Sequence, residues 1–271
     1  MKPLTSYNTL LLDMDGVLYR GHERLEGADR LIAFCKTHGI KTACITNNAT
    51  MTPHQFADKL AGMHIEFPAE HIINSPVAAQ RWMKARSPQG TKVFAIGMNG
   101  LRTALFSDGY FVEDDEAPAY VVVGLDTEVT YAKLRKACLL IRAGATFIGT
   151  NPDVSLPMPE GLVPGAGSLL AFLKAATDVE PFIIGKPGPT MFHIATEVLQ
   201  SDPTKTLTIG DRIDTDVAGA LAAGMTAGMV LTGVVTRADV AASPMKPDLL
   251  YADLPELLEA WHRDMEKQRS T

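Results

Sequence analysis

Short apolar runs recur along this chain and alternate with helix-like segments, and that alternation limits the fold more than any other feature. Apolar residues at helical spacing, with a glycine after the last of them, occupy segments such as 28–38 and 131–143. Runs this short and this apolar are typical of strands buried on both faces of a sheet. Strands that alternate with helices predict an α/β fold with a mostly parallel sheet. The predicted strands are 10–12, 41–45, 93–96, 120–123, 146–148, 182–184, 207–209 and 229–231.

The length and composition of the chain allow more than one domain. Its 271 residues are enough for one large or two modest domains, and 46% of them are apolar, which allows a sizeable core. Segment 107–118 is polar and acidic, and segment 151–167 is so rich in proline and glycine that we predict an irregular surface loop there. We therefore predict an outer domain formed by 1–79 and 182–271, with residues 80–181 inserted as a second domain.

The charge and the cysteines of the chain restrict its partners. A net charge of −6 argues against a nucleic-acid partner, but it leaves an anionic substrate open because a local cation can invert the field. The chain has an odd number of cysteines, and they lie in apolar or helical surroundings: Cys35, Cys44 and Cys138. This predicts buried, reduced thiols and a cytoplasmic protein. Segment 217–236 is uncharged and long enough to span a bilayer, but its glycines and its division into a helix and a strand predict no membrane association.

Two aspartates directly follow the first predicted strand. Asp13 and Asp15 are separated by one residue and precede Gly16, which marks a break in the strand. Alternate residues of a strand point the same way, so both carboxylates can face one site. One of them could then act as a nucleophile while the other transfers protons. The alternative interpretation is a solvated turn after a strand.

Polar residues follow two other predicted strands in a way that suits a phosphate group. Thr46, Asn47 and Asn48 come just before a helix start, where a hydroxyl, an amide and backbone N–H groups can bind an anion. Lys186 comes after a strand and Gly185, and its ammonium group could bind phosphate oxygens. The alternatives are a polar turn with local caps and a solvated lysine.

Carboxylates also follow the run 207–209. Asp211 and Asp216 lie there, and Asp216 taken alone could be a helix cap. If these two converge with Asp13 and Asp15, each close pair repels by about 4 kcal/mol at a separation near 4 Å and an effective dielectric near 20. A lysine cannot balance four carboxylates, whereas a divalent cation reduces the excess charge. Oxygen ligands favour Mg²⁺, and no cysteine or histidine cluster has zinc spacing.

Taken in order, these motifs resemble the four motifs of the haloacid dehalogenase superfamily, and the similarity covers about residues 8–260. The long segment between Thr46 and Lys186 resembles the class-two cap of that superfamily. Further segments resemble its NagD-like, p-nitrophenylphosphatase-type subfamily. They are Asp15-Gly16-Val17-Leu18-Tyr19, Ile45-Thr46-Asn47-Asn48, Thr150-Asn151-Pro152-Asp153, Gly185-Lys186-Pro187 and Gly210-Asp211-Arg212 with Thr215-Asp216. The resemblance implies a Rossmann-like doubly wound parallel sheet as the core, with an inserted α/β cap domain.

The resemblance also implies a reaction and a role for each motif residue. The expected enzyme is a Mg²⁺-dependent phosphatase that hydrolyses small phosphomonoesters through an aspartyl-phosphate on Asp13, with Asp15 as general acid and base. Phosphate contacts are implied for Thr46, Asn47, Asn48 and Lys186, and Asn48 would also support its loop. The implied metal ligands are the Asp13 carboxylate, the Asp15 backbone carbonyl and the Asp211 carboxylate, and the implied supporting residues are Gly16 and Asp216.

The substrate and the assembly are less constrained. We expect a small phosphorylated metabolite, selected by cap loops near 151–153 and 158–165, and a homodimer like those of other capped enzymes. A phosphotransferase or phosphomutase would keep the same residues and pass the phosphoryl group to a sugar instead of water. A non-catalytic phospho-acceptor module would also combine aspartate, threonine and lysine around Mg²⁺, but it needs neither Asp15 nor a long cap.

Overall fold

The computed structural model describes residues 2–158 and 161–270 and contains two parallel sheets with helices between their strands. The strands are β1 (Thr9–Leu12), β2 (Tyr19–Arg20), β3 (Glu23–Arg24), β4 (Lys41–Thr46), β5 (Ile72–Asn74), β6 (Lys92–Ile96), β7 (Val112–Glu113), β8 (Tyr120–Val123), β9 (Thr146–Gly149), β10 (Ser155–Met158), β11 (Gly161–Pro164), β12 (Phe182–Ile183), β13 (Thr206–Gly210), β14 (Thr226–Val230) and β15 (Leu249–Tyr251). The α-helices are α1 (Ala28–Thr37), α2 (Pro53–Ala61), α3 (Ser75–Lys84), α4 (Asn99–Phe106), α5 (Tyr131–Arg142), α6 (Ala166–Thr177), α7 (Thr190–Leu199), α8 (Ala218–Ala222), α9 (Arg237–Ala242) and α10 (Leu254–Arg269), and a π-helical turn spans Ile213–Val217. Each predicted strand overlaps an observed one, which confirms the α/β fold class.

The larger sheet has the strand order β15-β14-β13-β1-β4-β5, and β1 lies between β13 and β4 as their parallel neighbour. Every residue of β1 is buried, as expected of a strand that is covered on both faces. In the register of the sheet, Leu12 is aligned with both Cys44 and Ile209. The residues that follow β1, β4 and β13 therefore leave the sheet at the same edge, which is its carboxyl edge.

The smaller sheet has the strand order β12-β9-β8-β6-β7, and its strands run parallel. Val121 and Val123 of β8 pack with Leu134 of α5 and Leu173 of α6 in a core of buried apolar side chains. The side chain of Thr130 caps the first turn of α5, which fixes where that helix begins. This sheet thus has a hydrophobic core of its own, as a separate domain would.

The chain divides into two compact units. The first comprises Met1–Thr46, Pro53–Ile73 and Pro187–Thr271, and the second comprises Asn47–Thr52 and Asn74–Lys186. The predicted insert, 80–181, is shorter than the second unit. Two features account for the difference: α3 packs against α4 within the second unit, and β12 pairs with β9 of the smaller sheet. The strand that precedes Lys186 consequently belongs to the smaller sheet.

The segment 151–167 is not the irregular loop that its composition predicted. Within it, β10 and β11 pair as an antiparallel hairpin, and α6 begins at Ala166. Pro164 is tolerated in the hairpin because a strand edge can accept a residue without an N–H group. In the predicted cap loop 158–165, Pro159 and Glu160 lie outside the described residues.

Two further sequence predictions concern the uncharged segment and the cysteines. Segment 217–236 forms α8 followed by β14, and no helix within residues 2–158 and 161–270 is long and apolar enough to cross a membrane. Cys35 and Cys44 are free and buried, as predicted. Cys138 is free but only half-buried, because the buried face of α5 runs through the neighbouring position, Ala137.

Candidate active site

Three carboxylates meet at the carboxyl edge of the larger sheet. Asp13 follows β1, where its N–H donates to the carbonyl of Ile209 at 2.8 Å, Asp211 follows β13, and Asp216 lies in the π-helical turn. Each offers one carboxylate oxygen, and these oxygens lie within 4.8 Å of one another. Asp211 and Asp216 are buried, whereas Asp13 retains partial access to solvent. Oxygens grouped in this way can hold a divalent cation.

Asp216 shapes the loop that carries Asp211. Its Oδ2 accepts the backbone N–H groups of Asp211 at 3.3 Å and of Arg212 at 3.1 Å. Backbone donors of this kind hold a carboxylate in one orientation and stabilise its charge. Asp214 points elsewhere, since its carboxylate accepts two hydrogen bonds from the Arg212 guanidinium, at 3.1 and 2.7 Å. Asp216 therefore supports the backbone beside Asp211, and it is not the N-cap residue of α8, which is Val217.

Glycines surround this cluster because a side chain would not fit. A Cβ atom at Gly16 would lie 2.5 Å from Oδ2 of Asp211, and one at Gly233 would lie 1.7 Å from the same oxygen. A Cβ atom at Gly210 would lie 2.2 Å from the Cβ of Asp216. Gly16 also has a φ of +83°, in the left-handed region that favours glycine. The strand ends beside the carboxylates thus need residues without side chains.

The segment after β14 contributes to the site, and sequence reasoning missed it. Thr232 donates its hydroxyl to the carbonyl of Gly16 at 2.6 Å, and Gly233 lies against Asp211. A signal for these residues exists, because they follow a strand that runs parallel to β13 and so reach the same edge of the sheet. Neither residue is charged, so the residue types in this segment do not by themselves indicate a role in the site.

Asp15 and Thr46 belong to the same unit as the carboxylate cluster. Asp15 pairs with Tyr19 through a β-bridge, and the ammonium group of Lys59 lies 3.8 Å from the centre of the Tyr19 ring. Partial burial raises the pKa of Asp15 above its ordinary value, against the opposing charge of Lys59 and the N–H of Gly16. A carboxyl group with a raised pKa is suited to donate a proton. Thr46 ends β4 and is buried.

Asn47, Asn48 and Lys186 belong to the second unit. The side-chain oxygen Oδ1 of Asn48 accepts hydrogen bonds from the N–H and the hydroxyl of Thr50 at 3.0 and 2.6 Å, so the Asn48 amide stabilises the loop. Lys186 is 3% exposed, and its main chain makes two hydrogen bonds with the Asn47 side chain. The meeting of these three residues with the carboxylates of the first unit stays a prediction.

Comparisons with known proteins agree with these motifs. The haloacid dehalogenase-like hydrolase family matches residues 10–110, and a second HAD-like hydrolase family matches residues 183–257. An acid sugar phosphatase of Staphylococcus aureus is 40% identical over 255 residues, which are 94% of this chain and 98% of that protein. A solved 4-nitrophenylphosphatase from Thermotoga maritima has a TM-score of 0.90 and 32% identity, covering 96% of this chain and 100% of that chain. A glycerol phosphate phosphatase from Mycobacterium tuberculosis, solved in complex with magnesium, has a TM-score of 0.86 and 31% identity, covering 95% of this chain and 79% of that chain.

The chain belongs to the haloacid dehalogenase-like hydrolase family. Within that family it is a phosphatase, an enzyme that hydrolyses phosphomonoesters. The family resemblance seen in the sequence is therefore confirmed. Phosphatases of this family are in general metal-dependent, and the cluster of Asp13, Asp211 and Asp216 is consistent with such a dependence.

Proposed function

We propose that this phosphatase transfers the phosphoryl group of a small phosphorylated metabolite first to Asp13 and then to water. The observation that carries the proposal is the cluster of Asp13, Asp211 and Asp216, whose carboxylate oxygens lie within 4.8 Å of one another at the edge of a parallel sheet. A transferring phosphoryl group spreads its charge over its oxygens, so catalysis depends on positioning and on electrostatic stabilisation. A nucleophilic carboxylate beside a cation site supplies both.

The donor set fits Mg²⁺. We assign the carboxylates of Asp13 and Asp211 and the backbone carbonyl of Asp15 as its ligands, with Asp216 holding the loop of Asp211. All of these donors are oxygens, which hard cations prefer. When bound, the ion neutralises charge on the carboxylates and on the phosphoryl oxygens. Carboxylates about 4 Å apart would otherwise repel by about 4 kcal/mol per pair at an effective dielectric near 20.

The proposed reaction has two steps. In the first, a carboxylate oxygen of Asp13 attacks phosphorus, the bond from phosphorus to the leaving oxygen breaks, and the Asp15 carboxyl donates its proton to the departing alkoxide. In the second, Asp15 takes a proton from water, the water oxygen attacks phosphorus, and inorganic phosphate leaves Asp13. The raised pKa of Asp15 suits the first of these roles. Thr46 and Lys186 hold the phosphoryl oxygens, together with N–H groups near Asn47.

We propose a phosphorylated sugar or polyol as the substrate class. The support comes from the relatives, which are an acid sugar phosphatase and a glycerol phosphate phosphatase. A phosphotransferase would use the same residues and pass the phosphoryl group to an acceptor alcohol. Hydrolysis predicts one inorganic phosphate for each ester consumed even when an acceptor alcohol is present, whereas a phosphorylated acceptor as the main product would contradict it.

We also propose a cytoplasmic enzyme that acts on free metabolites and has no nucleic-acid partner. The buried free thiols of Cys35 and Cys44 suit a reducing compartment, and the net charge of −6 disfavours nucleic acid. The homodimer expected from other capped enzymes stays a prediction.

The variant Asp13→Asn tests this mechanism. We expect kcat to fall at least about a thousandfold in the presence of Mg²⁺, because an amide cannot act as the nucleophile. The control is Asp58→Asn, which changes an exposed aspartate of α2 and should keep wild-type activity. Circular dichroism of both variants checks that the fold is intact. Hydrolysis by the Asp13→Asn enzyme at a rate near that of the wild type would refute the mechanism.

A further inference from the structure

We propose that the side-chain amide of Asn47 is a positioning group for Lys186 and joins that lysine to segment 150–153 of the second unit. The proposal rests on the proposed function, because it takes Lys186 as the residue that holds the phosphoryl oxygens. In this role Asn47 acts through Lys186 and not on the reacting atoms. The backbone N–H of Asn47 is a separate group, to which the proposed function assigns a phosphate contact.

The amide of Asn47 pairs with both main-chain groups of Lys186. Its Oδ1 accepts the Lys186 N–H at 2.8 Å, and its Nδ2 donates to the Lys186 carbonyl at 2.9 Å. Paired in this way, the peptide groups on both sides of the lysine Cα are fixed, and so is the direction in which its side chain leaves the main chain. Lys186 is 3% exposed, so water competes little for these bonds.

Further hydrogen bonds hold Asn47 in place. Nδ2 also donates to Oδ2 of Asp153 at 3.1 Å. The backbone carbonyl of Asn47 accepts the Asn151 amide and the Ser75 hydroxyl, both at 3.0 Å. The asparagine is therefore held from both of its ends, and one amide links the lysine to the segment that carries Asn151 and Asp153.

Close packing at Gly185 also holds the main chain next to Lys186 in one position. A Cβ atom there would lie 2.5 Å from Oδ1 of Asn47 and 2.5 Å from the carbonyl of Thr150. The N–H of Gly185 donates to that carbonyl at 2.9 Å, which continues the pairing of β12 with β9 up to the residue before Lys186. The position of the Lys186 main chain is thus fixed by the smaller sheet, through Gly185, and by the side chain of Asn47.

The chemistry of a lysine makes this positioning important. An ammonium group binds phosphate as a point charge on a flexible stem, so its effect depends on where the main chain places it. Removing a residue that orients a metal ligand typically changes affinity or activity by about 10- to 100-fold, and we take the same size of effect for a residue that orients a phosphate-binding lysine. We expect the Asn47 amide to have an effect of that size on phosphate binding, while Mg²⁺ binding, which uses carboxylates of the first unit, stays unchanged.

The test compares Asn47→Ala and Asn47→Asp with Asn99→Ala, a control that changes an exposed asparagine of the same unit. The alanine variant keeps the backbone N–H, so any loss of phosphate affinity or activity in this variant reports on the side chain alone. The aspartate variant keeps an acceptor for the Lys186 N–H but has no N–H to donate, and it faces the carboxylate of Asp153. Inhibition by inorganic phosphate and activation by Mg²⁺ are measured separately for each variant.

We expect both Asn47 variants to weaken inhibition by inorganic phosphate about 10- to 100-fold and to lower kcat/KM by a similar factor. The Mg²⁺ concentration that gives half-maximal activity should change by less than about twofold, and the Asn99→Ala enzyme should match the wild type. Unchanged phosphate inhibition, or an equal loss of phosphate and Mg²⁺ affinity, would overturn the proposal.

A double-mutant cycle with Lys186→Met separates positioning from a general structural role. If Asn47 acts through Lys186, then adding Asn47→Ala to the Lys186→Met enzyme should lower kcat/KM by less than a further factor of about three. The reason is that the ammonium group to be positioned is already absent. If the loss of activity in the double variant equals the product of the losses in the two single variants, Asn47 acts independently of the lysine. A wild-type enzyme that hydrolyses no phosphomonoester would instead count against the proposed function.

Discussion

Asp211 is enclosed by two glycines that come from different strand ends, Gly16 after β1 and Gly233 after β14. A Cβ atom at these positions would lie 2.5 and 1.7 Å from Oδ2 of Asp211. The backbone on the other side of the loop is held by Asp216, through its bonds to Asp211 and Arg212. The carboxylate of Asp211 therefore has little freedom to move, which is what a metal ligand requires.

Gly233→Ala tests this enclosure. The added methyl group must displace the Asp211 carboxylate, so we expect the Mg²⁺ concentration for half-maximal activity to rise about 10- to 100-fold. The increase in melting temperature that Mg²⁺ gives should shrink as well, which provides a readout independent of turnover. The control is Gly62→Ala, where the new Cβ would be 3.5 Å from its nearest neighbour. An unchanged Mg²⁺ requirement in the Gly233→Ala enzyme would show that the carboxylate is not confined.

The sequence predicts some of these residues better than others. Asp13 and Asp211 stand out because each is a charged residue placed directly after a buried strand. Gly233 does not, since nothing in an uncharged segment indicates which glycine approaches a carboxylate. The side-chain role of Asn47 is also hidden, because its partner Lys186 is 139 positions away and only the folded chain brings them together.

Among the structural elements, eight strands follow from the apolar runs of the sequence, but the sheet to which each strand belongs does not. The run 182–184 is apolar like the other runs, yet β12 pairs with β9 in the smaller sheet. The apolar pattern of a buried strand is the same in either sheet, so it cannot identify the neighbour. The hairpin of β10 and β11 escapes prediction for a different reason, since β11 is largely exposed and lacks the alternation of a half-buried strand.

One ion pair gives an element-level prediction about pH. Asp114, which follows β7, lies 2.7 Å from the ammonium group of Lys92, the first residue of β6. The hydrogen bond from Lys92, together with backbone N–H groups such as that of Ala117, lowers the pKa of Asp114 from 3.8 to about 2. Because the pKa is lower in the folded state, the stabilisation is present above about pH 4 and is lost as the pH falls through about 2.

Asp114→Asn should therefore lower the melting temperature at pH 7 by a small amount, as expected for an ion pair at the protein surface. The difference from the wild type should shrink between pH 4 and pH 2, where the wild-type carboxylate becomes protonated. Asp115→Asn is the control, because the neighbouring Asp115 pairs with Lys136 at the longer distance of 3.4 Å. Thermal unfolding followed by circular dichroism across this pH range measures both variants. A difference that is constant from pH 7 to pH 2 would contradict the assignment.

For the whole molecule, two of the four points where the chain passes between its two units coincide with predicted phosphate-binding motifs. The first segment of the first unit ends at Thr46, where the second unit begins at Asn47, and the last segment of the second unit ends at Lys186. The sequence predicts an inserted domain but not these limits, because the shifts in composition at 107–118 and 151–167 both lie inside the second unit. Composition and the family resemblance both predict the two-unit architecture, but neither gives the residues at which the chain passes between the units.

Trapping the phosphoenzyme tests the central claim most directly. The Asp15→Asn enzyme is mixed with Mg²⁺ and p-nitrophenyl phosphate, whose good leaving group needs little protonation, then quenched in acid and digested for mass spectrometry. We expect phosphate on Asp13, because the variant lacks the base that would activate water for the second step. No phosphate should be found when Asp13→Asn is added to this variant or when Mg²⁺ is chelated. Turnover by the wild type with no phosphate ever trapped on Asp13, or phosphate trapped on a different residue, would contradict the account.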